Sequence, residues 1–134
     1  MKRMWLVALL LSCSLLTGCA YGIAFAPQGQ AADETIIELP KSATDNFLDA
    51  VIVAGKAQGY DVTGVSRQDK SASFGKIEQS LVTGSMMRVS LTVILTDPTH
   101  ARISVNLAGN YGQGSQENAA KAIAAFKEKL LQTL

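Results

Sequence analysis

The segment Met86–Thr96, with the sequence MMRVSLTVILT, carries the most regular alternation of apolar and polar residues in this chain of 134 residues. One side of the segment is apolar and consists of Met87, Val89, Leu91, Val93 and Leu95. The segment Ala101–Ala108, ARISVNLA, repeats the pattern, and the intervening DPTH predicts a turn because Pro98 suits its second position. A period of two is typical of half-buried strands, so the two segments predict an antiparallel hairpin with one apolar face.

The register of this hairpin also follows from the alternation. A turn centred on Pro98 pairs Val93 with Ile103, Leu91 with Val105, Val89 with Leu107, Thr92 with Ser104 and Ser90 with Asn106. Every apolar partner then lies on the same face. A slip of one residue would move the apolar side chains to the other face, so the pattern specifies this register strongly.

Two weaker strands and one uncertain segment precede the hairpin. Tyr60–Arg67 and Ala72–Gln79 are predicted as strands, the second interrupted by Gly75. Thr35–Leu39 is open to three interpretations: a short strand, an edge piece or an extended lead-in to Pro40.

Two amphipathic helices are predicted on either side of the strands. The first covers residues 43–58, with Ser42 as its N-cap and Gly59 as its stop signal. The second covers residues 116–132, with Ser115 as its N-cap. Each helix has an apolar stripe that needs a partner. We therefore predict an α+β fold, a two-layer sandwich in which a four-stranded antiparallel meander has both helices packed on one face.

Residues 1–18 have the layout of a signal peptide. Lys2 and Arg3 form a positive start, and the apolar run Trp5–Leu16 follows. This run is shorter than the roughly 20 residues that span a bilayer, although an N-terminal membrane helix is the alternative interpretation.

The sequence LTGC, Leu16 to Cys19, resembles the lipobox of bacterial lipoproteins, in which Leu, a small residue and Gly or Ala precede the cysteine. The resemblance implies that the Cys19 thiol receives a diacylglyceryl group and that cleavage follows Gly18. In a host with two membranes it also implies an outer-membrane location, because Ala20 and not Asp follows the cysteine, and we expect the protein on the periplasmic face. A free thiol and an intermolecular disulfide are the alternatives for Cys19.

This processing defines three regions. Residues 1–18 are the lipoprotein signal peptide, residues 19–34 a lipidated tether and residues 35–134 the α+β domain. Cys13 would leave with the signal peptide, so Cys19 would be the single remaining cysteine of the two in the chain and no internal disulfide could form. The partner predicted first is therefore the membrane, through lipid on Cys19.

The mature part resembles a second group, small bacterial lipoproteins of uncharacterised function with the order helix, β-meander, helix. The resemblance lies in AQGYDV, where a helix ends in Gly-Tyr, and in GNYGQGSQENAAKAI before the closing helix. It implies no activity.

The composition and motifs point away from several function classes. Lys and Arg total 12 against 11 for Asp and Glu, which argues against a nucleic-acid partner. The chain has one histidine, His100, so no metal site is predicted. Asp97 beside His100 is the nearest acid–base candidate, but Asp before Pro is typical of a turn. We predict no catalytic residues and no cofactor.

The polar face of the central hairpin is the predicted ligand surface. Its most prominent side chains are Arg88, Arg102 and Asn106, beside Ser90, Thr92 and Ser104. The arginines would suit an anionic envelope component such as a lipid head group, a glycan or an acidic partner protein. An ordinary solvated sheet face is the alternative.

Three functional hypotheses result. The first is a non-enzymatic, lipid-anchored envelope protein with a structural or partner-binding role. The second is a binding module that uses the polar face or a pocket between sheet and helices. The third is an enzyme that uses Asp97 and His100. Exposed edges near Gly64 and Gly75 add the prediction of homo-oligomers or an inserted partner strand.

Overall fold

The computed structural model describes residues 29–42, 45–79, 81, 84–109 and 115–134. The predicted signal peptide, Gly18, Cys19 and the first part of the tether lie outside the described residues. The strands are β1 Gly29–Glu38, β2 Asp61–Ser66, β3 Ser71–Gln79, β4 Met86–Asp97 and β5 His100–Gly109, and the helices are α1 Phe47–Ala57 and α2 Gln116–Thr133.

The central hairpin confirms the predicted register. All five predicted pairs are present between β4 and β5: Val93 with Ile103, Leu91 with Val105, Val89 with Leu107, Thr92 with Ser104 and Ser90 with Asn106. The inward side chains Val89, Leu91 and Val93 are at most 1% exposed. The alternation specified the register because burial on one face penalises every shifted pairing.

The sheet has five strands, and the prediction of four is wrong. Its order is β1-β5-β4-β3-β2, so the predicted meander is present and β1 is added beside β5. β1 pairs with β5 along its whole length, from Gly29 opposite Gly109 to Glu38 opposite His100. Residues 29–34, expected in the tether, therefore belong to the sheet.

The inward positions of β1 explain why the sequence underpredicted this strand. Ala31, Asp33 and Thr35 are half-buried, and only Ile37 at the far end is fully buried. Ala, Asp and Thr do not give an apolar alternation, and backbone pairing with β5 maintains the extended conformation instead.

The two helices cover different parts of one sheet face, as predicted. Helix α1 packs on β2 and β3, whereas α2 packs on β1, β5 and α1. Helix α2 begins as expected, since the Ser115 hydroxyl accepts a hydrogen bond from the Asn118 backbone N–H at 3.2 Å. Neither helix of the described chain has the length and apolarity that crossing a membrane requires.

Helix α1 begins later than predicted. It starts at Phe47 with Asn46 as its N-cap, so Ser42 does not cap it. The Asn46 side chain makes no capping hydrogen bond. Phe47 and Leu48 are both buried, and their packing places the first turn without a capping side chain.

A close approach between α1 and β3 determines how tightly the two layers pack. Gly55 of α1 lies against the Phe74 ring, and a Cβ atom at this glycine would be 2.8 Å from Phe74 Cδ1. Phe74 and Phe126 have ring centroids 5.9 Å apart, and Tyr60 lies 6.2 and 6.4 Å from them. This aromatic cluster joins α1, β3 and α2 in the core.

A candidate binding cleft at one end of the sheet

The open face of the sheet carries the predicted ligand residues, but they do not form one site. Arg88 and Asn106 line the same shallow depression of about 390 Å³ with Ser90. Arg88 is paired with Ala108 of β5, and Arg102, six residues before Ala108 on that strand, is paired with Ile94. At about 3.3 Å per residue the two arginines are roughly 20 Å apart along the hairpin.

A row of polar side chains crosses the middle of the open face. The Ser104 hydroxyl donates to Glu34 Oε2 at 3.2 Å, and Ser73 and Thr92 hydroxyl oxygens lie 3.4 Å apart. Four strands contribute to this row, since Ser104 also pairs with Thr92. These cross-strand contacts are what a solvated sheet face ordinarily shows.

The two glycines predicted near an edge have different positions. Gly64 lies on β2, an edge strand whose pairing with β3 shifts between Val62 and Gly64. Gly75 lies on β3, which is paired on both sides. The edges are therefore β2 and β1, and the irregularity at Gly64 is typical of a protected edge.

Asp97 and His100 are in contact, in the tight turn between β4 and β5. Asp97 Oδ1 accepts hydrogen bonds from the Thr99 backbone N–H at 2.8 Å and from its hydroxyl at 2.9 Å, and it lies 2.9 Å from His100 Nδ1. The hydrogen bond with His100, followed by that from the Thr99 backbone, lowers the pKa of Asp97 to about 2.

These contacts are those of a turn that satisfies its own polar groups. The side chains of His100 and Asp97 are 41% and 50% exposed. Asp97 accepts from a backbone N–H two residues ahead, which is the local geometry that makes Asp favourable at turns.

A larger cleft lies on the other side of the sheet, where the helices leave β3 and β4 partly uncovered. Its volume is about 560 Å³. Its lining comes from both layers and consists of Gln58, Tyr60, Lys76, Glu78, Met87, Val89, Asn118, Lys121, Ala122 and Ala125. Polar and charged side chains contribute more of its exposed surface than apolar ones do, and a cleft of this size can hold a small ligand.

Lys76 is the central charged group of the cleft. Its ammonium lies 2.7 Å from Glu78 Oε1, 3.3 Å from the Gln58 carbonyl oxygen and 4.8 Å from the centroid of the Tyr60 ring. The Lys76 side chain is 23% exposed. Ion pair, carbonyl and ring face together hold the ammonium in a fixed place.

Tyr60 forms the inner wall beneath this ammonium and is 5% exposed. Burial, followed by the charge of Glu78, raises the pKa of Tyr60 above its ordinary value of 10.0. The phenol therefore stays neutral at physiological pH. Gln58 closes the wall beside it, since its side-chain amide donates to the Ala125 carbonyl at 2.8 Å and ties α1 to α2.

Lys121 adds a second positive charge at the α2 side of the cleft. Its ammonium is 2.8 Å from Glu117 Oε1, one helical turn earlier. This pair is exposed, and the hydrogen bond from Lys121, followed by its charge, lowers the pKa of Glu117. Lys121 can reach toward the cleft because surface ion pairs of this kind are weak.

The sequence interpretation included a pocket between sheet and helices but did not name its residues. Lys76 and Glu78 have the same inward parity as Ala72 and Phe74, and this was the available signal. Two charged residues that continue the buried side of a strand indicate a place where the cover ends.

Three or more potential metal-ligating side chains of His, Cys, Asp or Glu do not gather anywhere among the described residues. The cleft contributes a single carboxylate, Glu78, which is already paired with Lys76. The described geometry thus offers charge and shape for a ligand and no cluster for a cation.

Comparison with known proteins shows distant similarity to solved structures. No protein-family model matches the chain, and no curated protein matches it. A TBP-like protein from Parabacteroides distasonis has 11% identity and a TM-score of 0.43, over 60% of this chain and 55% of its own. The chain thus spans about half the length of that protein.

Two plant proteins are matched over more of their length. Major latex-like protein 151 from Panax ginseng has 12% identity and a TM-score of 0.48, over 78% of this chain and 96% of its own. A norcoclaurine synthase point mutant from Thalictrum flavum, in complex with a transition state analogue, has 12% identity and a TM-score of 0.46, over 81% and 96%. These similarities concern general architecture and assign no function to this chain.

Proposed function

We propose that the protein is a lipid-anchored binding module of the bacterial cell envelope that holds a small anionic amphiphile in the cleft between sheet and helices. The observation that carries the proposal is the partly buried Lys76 ammonium, which contacts Tyr60, Glu78 and the Gln58 carbonyl in a cleft that also has apolar lining residues. The role is one of binding, without a chemical step.

The charge of the cleft supports an anionic ligand. The lining contains two ammonium groups, Lys76 and Lys121, and one carboxylate, Glu78. A ligand anion near Lys76 would replace or join Glu78, which is 49% exposed and free to turn toward water. A charged hydrogen bond in such a partly shielded place is stronger than one on the open surface.

The walls of the cleft support an apolar part on the same ligand. The apolar lining residues are Met87 and Val89 of β4 and Ala122 and Ala125 of α2. The small alanines leave space, and a methionine adapts its shape to the group that it contacts. An anionic head beside Lys76 and an apolar tail along these walls would use both features.

The fluorescent anion anilinonaphthalene sulfonate tests the cleft directly. We expect saturable binding by the full chain and a loss of affinity of about tenfold in Lys76→Met, since a charge-assisted contact is removed. Lys76→Arg should retain most of the affinity. Lys127→Met, which removes an exposed charge elsewhere on α2, is the matched control.

Equal affinities of wild type, Lys76→Met and Lys127→Met would contradict the cleft as the anion site. Circular dichroism of each variant shows whether the fold is retained. The double variant Arg88→Ala with Arg102→Ala tests the open face in the same titration, and a loss of affinity confined to that variant would favour the polar face instead.

The envelope location is proposed on the lipobox alone. We expect that Cys19→Ala, or the lipoprotein-processing inhibitor globomycin, makes the unprocessed precursor accumulate. Mature size and membrane association that remain unchanged would contradict the anchor. Fractionation of the membranes tests the outer-membrane, periplasmic location, and crosslinking in cells tests for an envelope partner or a second copy.

A further inference from the structure

The start of β1 and the β3–β4 connection lie at the same end of the sheet. Gly29 is paired with Gly109, and Gly109 is also paired with Met87. The neighbouring strand continues the row, since Glu78 is paired with Met87 and Gln79 with Met86. The chain therefore enters the domain beside the connection that joins β3 to β4.

Among the described residues, three large apolar side chains are exposed at this end of the sheet. Leu81 is 96% exposed, Ile77 61% and Met86 46%. Ile77 and Met86 are diagonal neighbours on the open face, because Met86 is paired with Gln79, two residues after Ile77. We call these three residues the apolar end. Apolar groups gathered in one exposed place mark an interaction surface.

We propose that the apolar end contacts the surface of the lipid bilayer, beside the acyl chains on Cys19. The inference rests on the proposed anchor. Exposed Leu, Ile and Met side chains at one end of a domain can insert into the boundary between head groups and acyl chains. The domain would then stand on this end, with the mouth of the cleft, which contains Glu78 and Met87, close to the membrane surface.

The length of the connecting chain favours this orientation. Ten residue steps separate Cys19 from Gly29, so the connection spans at most about 33 to 36 Å. β1 has 10 residues and is itself about 33 Å long. If the domain stood on the opposite end of the sheet, the connection would have to cover the whole length of the sheet. If the domain stands on the apolar end, a short connection is enough.

A single tryptophan reports on the contact. The chain has one tryptophan, Trp5, so Trp5→Phe removes the background whether or not residues 1–18 are cleaved. Leu81→Trp places the reporter at the apolar end, and Val65→Trp places it at an exposed position of β2 toward the other end of the sheet. Both full-length variants are reconstituted in vesicles of phosphatidylethanolamine and phosphatidylglycerol that contain doxyl-labelled lipid.

We expect blue-shifted emission from Leu81→Trp and quenching of about twofold by doxyl groups in the acyl region, with little quenching of Val65→Trp. Solvent-like, unquenched emission from Leu81→Trp on vesicle-bound protein would overturn the proposal, as would equal quenching of both reporters. If the Leu81→Trp emission is quenched without doxyl lipid, and more so at higher protein concentration, the reporter contacts other copies of the protein. That result would also overturn the proposal.

The anchor is measured separately, so the two failures are distinguishable. Mass spectrometry of the purified protein shows whether Cys19 is acylated. If acylation is absent, quenching of Leu81→Trp on addition of vesicles still supports bilayer contact, and its absence overturns the proposal. Leu81→Asp, which carries no reporter, is expected to bind the vesicles more weakly in sedimentation without affecting folding, because Leu81 is almost fully exposed.

Discussion

Two polar clusters lie at opposite ends of the sheet. Their charged side chains are similarly close to each other, but only one cluster lines a cleft that could hold a ligand. In the turn between β4 and β5, Asp97 lies 2.9 Å from His100, and at the cleft Lys76 lies 2.7 Å from Glu78. The turn cluster is made by neighbours in the chain and faces water. The cleft cluster is enclosed by residues from both layers and lies above the buried ring of Tyr60.

The difference shows why proximity of charged groups does not identify a site. The Asp97 carboxylate already forms hydrogen bonds with Thr99 and His100, and the surrounding water and salt screen its charge. Lys76 is shielded on several sides and has an apolar wall beside it, so that a ligand can exchange water for protein contacts. The lower exposure of Lys76 and the lining residues from both layers, more than distance, distinguish the two clusters.

The largest expected effect comes from breaking the layer contact beneath the cleft cluster. Gly55→Ala adds a methyl group that overlaps sterically with the Phe74 ring. We expect a loss of about 1 to 3 kcal/mol in the free energy of unfolding, as for other overpacked cores. The displaced Phe74 ring would also move Tyr60 and weaken binding in the cleft. Urea denaturation and the sulfonate titration measure the two effects.

Gly64→Ala is the matched control for this substitution. Nothing lies within 4 Å of a Cβ atom at Gly64, so we expect a change within about 0.5 kcal/mol. Equal losses in both variants would mean that helix propensity and strand pairing, not the contact with Phe74, determine the effect.

A smaller effect is expected from Tyr60, and it is confined to high pH. The pKa of Tyr60 in the folded state is raised above 10.0, so the folded protein binds the phenolic proton more tightly than the unfolded chain does. This contribution is fully present below pH 10 and is lost as the pH rises through the folded-state pKa. The free energy of unfolding of the wild type should fall in that range more steeply than that of Tyr60→Phe.

The measurement is urea denaturation at a series of pH values above and below 10. Parallel curves for wild type and Tyr60→Phe would show that the phenol titrates alike in both states and would contradict its burial beside Glu78. The remaining tyrosines are retained in both proteins, so their titration cancels in the comparison.

The smallest effect is expected at the turn cluster. The pKa of Asp97 is lowered to about 2, so its stabilising contribution is present above its ordinary value of 3.8 and is lost as the pH falls through about 2. Nuclear magnetic resonance titration should show the pKa of Asp97 rising in His100→Ala, since the largest cause is removed. Thr99→Ala should raise it less because the backbone hydrogen bond remains.

An Asp97 pKa that stays the same in His100→Ala would contradict the hydrogen bond between the two side chains. Binding of the sulfonate probe should be unaffected by His100→Ala. Weaker binding in this variant would mean that the turn cluster, and not the cleft cluster, takes part in ligand binding.

The central hairpin and the start of α2 show what sequence patterns predict well. Val89, Leu91 and Val93 place their own strand and its partner in one register, and Ser115 caps the helix that follows it directly. The predicted start of α1 was wrong because no capping side chain marks the true start. The packing of Phe47 and Leu48 determines where the helix begins. Patterns succeed where the deciding interactions are local or strongly periodic.

The sequence by itself determined the hairpin and the two-layer class, because period and capping are properties of short stretches, and the lipid attachment at Cys19 stays a prediction from a short motif. Only the tertiary structure decided the fifth strand and the cleft. β1 meets β5 across about 70 residues, as in the contact between Glu34 and Ser104, and the cleft joins Lys76 of β3 and Lys121 of α2 with Tyr60 from the connection between α1 and β2. Such contacts depend on how the layers pack, and the packing follows from all the buried side chains together.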